Sequence, residues 1–257
     1  MSCETRNKRP YMEDRHNIRA FIRDDVSLLA VYDGHGGPEV AVMCALLLPD
    51  ILRRKLDAVH DARDWRTWGG VATEAIAELD ARCVSDVRAE DVGSTLCMCL
   101  FSYAVGKAVT ANLGDSRMVL IRGGEKPTVR PLTVDHSSAC HREQDRIATL
   151  GGYVFPDAFG TPRVMGCLNL TRSVGDVHLR PFVSQQPDVA EYDLGRDDAI
   201  LVASDGMWDV IEAREIIKAF RTMENIARVP RVLTRTAMMK GSTDNITVAM
   251  VWQAFDT

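Results

Sequence analysis

Short apolar runs in this chain stop abruptly at aspartate, at points far apart in the sequence. Leu28-Leu29-Ala30-Val31-Tyr32 ends at Asp33-Gly34-His35-Gly36-Gly37, and Ala199-Ile200-Leu201-Val202-Ala203 ends at Ser204-Asp205-Gly206. Two further stretches, Ala108 to Ala111 and Met118 to Ile121, meet across Asn112-Leu113-Gly114-Asp115-Ser116, and Asp244-Asn245 opens the run Ile246 to Trp252. Brief apolar runs bounded by turn residues read as strands. If the last strand runs antiparallel to the two that end in acid, Asp33, Asp205 and Asp244 fall at one edge of a sheet. Carboxylates gathered there repel one another and stay ionised together only when cations sit among them.

The rest of the chain sets those tips in a layered frame. Strand-like runs lie near 16–23, 27–32, 94–102, 105–111, 117–122, 189–192, 199–203 and 246–252, and helix-like patterns near 38–56, 67–88, 141–150, 212–221 and 229–239. Strands come as neighbours before and after long helices and do not alternate with them one for one. That pattern favours antiparallel sheets with helices packed outside, an α+β domain. Residues 151–187 differ, with four prolines, several glycines and few periodic apolar positions. They read as an irregular excursion, the kind of segment that often borders a binding site.

Composition removes several function classes. Apolar residues make up 46% of the 257, enough for a substantial core, and the formal net charge of −5 offers no basic face for nucleic acid. No apolar run approaches the roughly 20 residues of a membrane span, and Met1-Ser2-Cys3-Glu4 has no signal-peptide pattern. Seven scattered cysteines without a Cys-x-x-Cys pair argue for a reducing compartment, with Cys97 and Cys99 as small buried hydrophobes.

The candidate ligands are all oxygen donors, which suit Mg²⁺ or Mn²⁺ better than zinc. Asp209 follows Asp205 by four residues, so a helical turn starting at Asp205 puts both carboxylates on one face. Two ions about 4 Å apart can hold a bridging water and deprotonate it near neutral pH. Near the start, Arg9-Pro10-Tyr11-Met12-Glu13-Asp14 supplies a planar guanidinium fork suited to phosphate and two acids able to orient metal-bound water.

Eight blocks then occur in order. They are Arg-x-x-Met-Glu-Asp from Arg9, Asp-Gly-His-Gly-Gly from Asp33, Gly-Ser-Thr from Gly93 and Asn-x-Gly-Asp-Ser-Arg from Asn112. Leu-Thr-x-Asp-His from Leu132, Arg-Ser-x-Gly-Asp from Arg172, Ala-Ser-Asp-Gly-x-Trp-Asp from Ala203 and Asp-Asn-Ile-Thr-Val from Asp244 complete the set. In these blocks the chain resembles the PP2C (PPM) metal-dependent protein serine/threonine phosphatases over nearly its whole length. The resemblance implies a central β-sandwich of two antiparallel sheets flanked by α-helices, a four-layer αββα fold, as one domain over 1–257 with a flap around 136–175. It implies Mg²⁺ or Mn²⁺ held by Asp33, the Gly34 carbonyl, Asp205 and Asp244, with Asp33 bridging two ions. Asp115 and Asp209 would serve a third, weaker ion, and Glu13 and Asp14 would stand behind the ligands. Arg9 would hold the substrate phosphate and His35 would act as general acid. The implied activity is hydrolysis of phosphoserine and phosphothreonine in proteins by a metal-activated water, without a covalent phosphoenzyme. The implied setting is an intracellular monomer, cytoplasmic or nuclear, acting on phosphoproteins.

Two other readings are weaker. Cys140 to Arg146 fits the Cys-x5-Arg spacing of cysteine phosphatases, but it lacks the glycines of a phosphate cradle and continues as a helix. A non-catalytic module on the same fold would have no need of the complete acid set.

Overall fold

A computed structural model describes residues 1–85, 90–222 and 225–253. Two five-stranded antiparallel sheets form its centre. The first contains β2 (Arg15–Arg23), β3 (Val26–Tyr32), β6 (Leu96–Ser102), β7 (Lys107–Leu113) and β13 (Asp188–Asp193), in the order β13-β7-β6-β3-β2. The second contains β1 (Ser2–Thr5), β8 (Arg117–Arg122), β9 (Thr128–Pro131), β14 (Ala199–Ala203) and β15 (Ile246–Trp252), in the order β1-β15-β14-β8-β9.

The continuous apolar runs follow from burial on both faces of each sheet. Along β3, Leu28, Ala30 and Tyr32 join one core with α1 (Glu39–Ala58) and α2 (Trp68–Val84), while Leu29 and Val31 point into the layer between the sheets. Successive side chains on a strand alternate sides, so a strand covered on both sides has no solvent-facing position to keep polar. Cys97 and Cys99 lie in that central layer against Met118, Ile200 and Val202. On the far face, α5 (Ala213–Thr222) and α6 (Val229–Met239) cover the second sheet through Ile216, Leu233 and Ala237. Each fully buried Leu or Ile here contributes roughly 1.5–3 kcal/mol. The four layers are those expected.

The remaining elements shape one end of the sandwich. The short strands β4 (Gly34–His35), β5 (Gly93–Ser94) and β12 (Val174–Gly175) form a small sheet in the order β12-β5-β4. The hairpin β10 (Val154–Pro156) and β11 (Pro162–Val164), with α3 (His141–Thr149), closes over its own small core of Ile147, Val164, Leu179 and Val183. The excursion is therefore more ordered than its composition suggests. A four-residue helix α4 (Asp205–Trp208) follows β14 directly. Helix α2 ends at Val84, short of the expected 88, and 86–89 lie outside the described residues. Among the described residues no helix is long and apolar enough to cross a membrane.

Candidate metal centre

Strand β15 runs antiparallel to β14, pairing Val248 with Ala203, so Asp205 and Asp244 emerge at the same end of the second sheet. Asp33 leaves the end of β3 in the first sheet. Its amide donates to Thr95 Oγ1 at 3.0 Å, and the Thr95 amide donates back to the Asp33 carbonyl at 2.9 Å. Thr95 Oγ1 also lies 2.8 Å from Ser116 Oγ, which ties in the turn carrying Asp115. Gly114 in that turn has φ +99, and a Cβ there would sit 2.6 Å from the Thr95 side chain, so the turn demands glycine. Asp209 lies one helical turn after Asp205, its amide donating to the Asp205 carbonyl at 2.9 Å.

Asn245 places the N-terminal segment over this end. Its amide nitrogen donates to the Arg6 and Tyr11 carbonyls, both at 3.0 Å, and its amide oxygen accepts from the Glu13 amide at 2.7 Å. Gly206 packs so closely beneath that a Cβ would fall 1.9 Å from the Asn245 carbonyl oxygen. The Arg9 guanidinium then reaches Asp244 at 2.5 Å. Asp14 is buried, accepts from Ser204 Oγ at 2.7 Å, and leaves its other oxygen without a partner.

Arg9, Glu13, Asp33, Gly34, His35, Asp115, Asp205 and Asp244 all line one cavity of about 360 Å³. The flap contributes Arg163, Leu168, Asn169 and Leu170 to its rim. Asp14 and Asp209 are not on the cavity wall. Asp14 lies behind it, and Asp209 is exposed at its side. Arg117, which the sequence puts two residues from Asp115, is engaged by Asp135 at 3.0 and 2.5 Å. It therefore does not neutralise Asp115 by direct pairing.

The electrostatics show how uncomfortable these acids are without counter-charge. Burial, then repulsion from Asp14, Asp205 and Asp115, pushes Asp33 well above the usual carboxylate range. Burial and the Asp244 charge push Asp205 up to about 6. Burial pushes Asp14 to about 7 and, with Asp205 and Asp135 nearby, Asp115 to about 8. Asp209, although part of its side chain reaches solvent, is raised by partial desolvation and then by the Asp244 charge. Among the described residues no three His, Cys, Asp or Glu side chains are yet grouped as tightly as an ion requires. Asp244 is held by Arg9, and drawing the acids together costs repulsion that only a cation offsets. An all-oxygen donor set of Asp33, Asp115, Asp205 and Asp244 on one cavity wall fits a hard divalent ion.

A family model described as Protein phosphatase 2C matches residues 1–246. The chain belongs to the protein phosphatase 2C family. "Probable protein phosphatase 2C 24" of Arabidopsis thaliana is 32% identical, with 86% of this chain and 67% of the relative aligned. "Probable protein phosphatase 2C 32" of Oryza sativa subsp. japonica is 32% identical over 95% of this chain and 62% of its own length. Among solved structures, a "C.elegans sex determining protein" superposes with TM-score 0.86 and 28% identity, covering 97% of this chain and 63% of that one. A "serine-threonine phosphatase 2C from Toxoplasma gondii" reaches TM-score 0.81 at 22% identity, covering 97% and 92%, and shows the fold alone. The chain spans about two-thirds of the length of those first relatives.

On this protein phosphatase 2C frame, four residues without a role in the sequence reading support the site. Thr95 and Ser204 pin strand ends, Asn245 positions Arg9 and Glu13, and Asp176 meets His35 at 2.8 Å. Each lies inside one of the eight blocks, so the blocks were the only available signal. The Cys140 reading fails on geometry. Arg146 points at Glu143 (3.0 Å) and at the carbonyls of Thr171 and Phe182 (2.9 and 2.8 Å), and is consumed as a structural brace.

Proposed function

We propose that the protein hydrolyses phosphoserine and phosphothreonine in proteins with Mg²⁺ or Mn²⁺, by direct attack of water and without a covalent phosphoenzyme. The observation that carries this reading is the convergence of Asp33, Asp205, Asp244, Arg9 and His35 on one cavity of a protein phosphatase 2C frame. Asp33, the Gly34 carbonyl, Asp205 and Asp244 would hold the ions, and Asp115 and Asp209 would serve a further one. Bound there, such ions would supply positive charge to the phosphoryl oxygens and lower the pKa of the attacking water.

The protein's own groups do the rest. Arg9 is poised at the rim, exchanging Asp244 for a substrate phosphate that offers two oxygens to its fork. Asp14 and Glu13 stand close to the ligands and orient water there. The leaving serine or threonine alkoxide is a strong base, and His35 gives it a proton. Residues 136–175 border the cavity as a flap within one domain over 1–257. We place the enzyme inside the cell, in cytosol or nucleus, acting as a monomer; its scattered, unmotifed cysteines support a reducing compartment.

The test is hydrolysis of a phosphoserine peptide with Mn²⁺, with Mn²⁺ plus chelator, and with a thiol reagent. Activity that needs Mn²⁺ and ignores the thiol reagent is expected. No Mn²⁺-dependent turnover on any phosphopeptide, or turnover blocked only by the thiol reagent, sinks the reading.

A further inference from the structure

We infer that Asp176 is the positioning residue that holds the His35 imidazole in its working orientation, over a floor that only glycine at position 93 leaves open. This rests on the reading of His35 as the general acid and adds what aims it.

The small sheet β12-β5-β4 brings the three residues into register. His35 pairs with Gly93 on one side, and Gly175 pairs with Gly93 on the other. Asp176 follows Gly175 directly, so its side chain and that of His35 meet above Gly93 although 141 residues separate them. Asp176 Oδ2 lies 2.8 Å from His35 Nε2, with the Asp176 side chain 2% exposed and that of His35 24%. The same oxygen accepts a hydrogen bond from Ser173 Oγ. A Cβ on Gly93 would fall 2.1 Å from Asp176 Oδ2 and 2.5 Å from His35 Nε2. Any side chain there must push the pair apart.

The backbone at Asp176 is itself unusual, with φ +46 and ψ 45, left-handed for a residue that is not glycine. Such a conformation is disfavoured for a side-chain-bearing residue and persists only where its surroundings insist on it. They do so here. Asp80 on α2 accepts from the Gly175 amide at 3.0 Å and from Arg180 at 2.7 and 2.8 Å, while Arg180 also donates to the Gly175 carbonyl at 3.0 Å. The Asp176 amide donates to Val92 O at 3.2 Å. An ion pair between the buried Asp80 and the half-buried Arg180 thus clamps the turn that aims Asp176 at the imidazole.

The chemistry follows from which nitrogen is taken. With Nε2–H donated to Asp176, Nδ1 is the ring nitrogen left to serve the substrate. The Nδ1 proton passes to the departing serine or threonine oxygen as the phosphorus–oxygen bond breaks, and the ring is left neutral with its proton on Nε2. Asp176 fixes that tautomer and the ring's orientation, as a buried carboxylate does for a catalytic histidine elsewhere.

The test compares a phosphoserine peptide, whose leaving group needs a proton, with p-nitrophenyl phosphate, whose leaving group does not. A general acid contributes roughly 10²–10⁴-fold, so misaiming it should cost on the order of 10- to 100-fold on the peptide. Asp176→Asn and Gly93→Ala should both show that loss, with a much smaller one on the aryl phosphate, and Asp176→Asn combined with His35→Ala should be no worse than His35→Ala alone. Gly93→Ala removes no ionisable group, so it serves even if Asp176→Asn folds poorly. Nitrogen-15 NMR of the ring in the metal-free protein should show the Nε2–H form of His35, altered in Asp176→Asn. If His35→Ala discriminates between the substrates while Asp176→Asn and Gly93→Ala lose equally on both, Asp176 is merely structural and the inference falls. An unchanged His35 signal in Asp176→Asn also overturns it. Equal losses for His35→Ala on both substrates would instead remove the general-acid reading itself.

Discussion

In chelator, this protein should lose stability as pH rises from about 4 to about 8, and Asp14 sets the scale. Its carboxyl is held at about 7 by burial, against 3.8 in the unfolded chain. The folded protein keeps a proton that the unfolded chain gives up. The corresponding stability is fully present below pH ~4 and is lost as pH climbs through about 7. A shift of about three units corresponds to ~4 kcal/mol. Asp205 and Asp115 carry the same sign but share the same repulsion, so their shifts do not add. For a protein of this size each kcal/mol moves Tm by ~2–4 °C, giving a fall on the order of 10 °C. His136 works the other way, since burial and then Arg172 lower its pKa and its contribution grows as pH rises. Comparing wild type with Asp14→Asn cancels that term. By differential scanning fluorimetry in chelator, Asp14→Asn should gain on wild type by about 10 °C between the two pH values. Saturating Mn²⁺ should restore wild type at the higher pH by mass action. Parallel Tm profiles for the two proteins in chelator would refute the reasoning.

Asp205→Asn should leave the fold intact by circular dichroism while severely weakening Mn²⁺ binding in calorimetry; near-normal turnover at low Mn²⁺ would contradict its assignment as a ligand. Arg9→Ala should mainly raise KM for a phosphopeptide. Because it also frees Asp244 from an exposed pair worth ~0–1 kcal/mol, Mn²⁺ affinity should hold or tighten by up to about fivefold, and a change in metal affinity alone would remove the phosphate role. Gly206→Ala puts a methyl 1.9 Å from the Asn245 carbonyl and should cost about 1–3 kcal/mol in denaturant unfolding, with a loss of activity as Arg9 and Glu13 shift. An unperturbed midpoint would contradict the tight packing of Gly206 against Asn245.

Much of the frame was legible because burial writes itself into the sequence. Strands β3, β6, β14 and β15, covered on both faces, leave unbroken apolar runs whose ends can be read to within a residue or two. Strand β9 escaped, being short, at a sheet edge and largely exposed, with Pro131 as its last residue. Asp33 and Asp205 were legible because each closes such a run, and Asp244 because it opens one. The His35–Asp176 contact was not, since strands of two residues carry no periodicity and the partners are remote in sequence. Glu143 was hidden differently. It sits in a polar helix that looks solvated, yet it is fully buried because Arg172 and Arg146 satisfy it there; burial alone would raise its pKa, but the arginines hold it at about 2.

The hook formed by Asn245 has a consequence for biosynthesis. Strand β15 lies between β1 and β14, and the residue just before it grips the backbone at Arg6 and Tyr11. A ribosome-bound chain that has emerged only through Asp209 already displays most of the acids and the histidine, but lacks Asp244 and the fastening for its opening segment. On the proposed assignments the metal centre is therefore complete only once β15 has been made and has paired between β1 and β14.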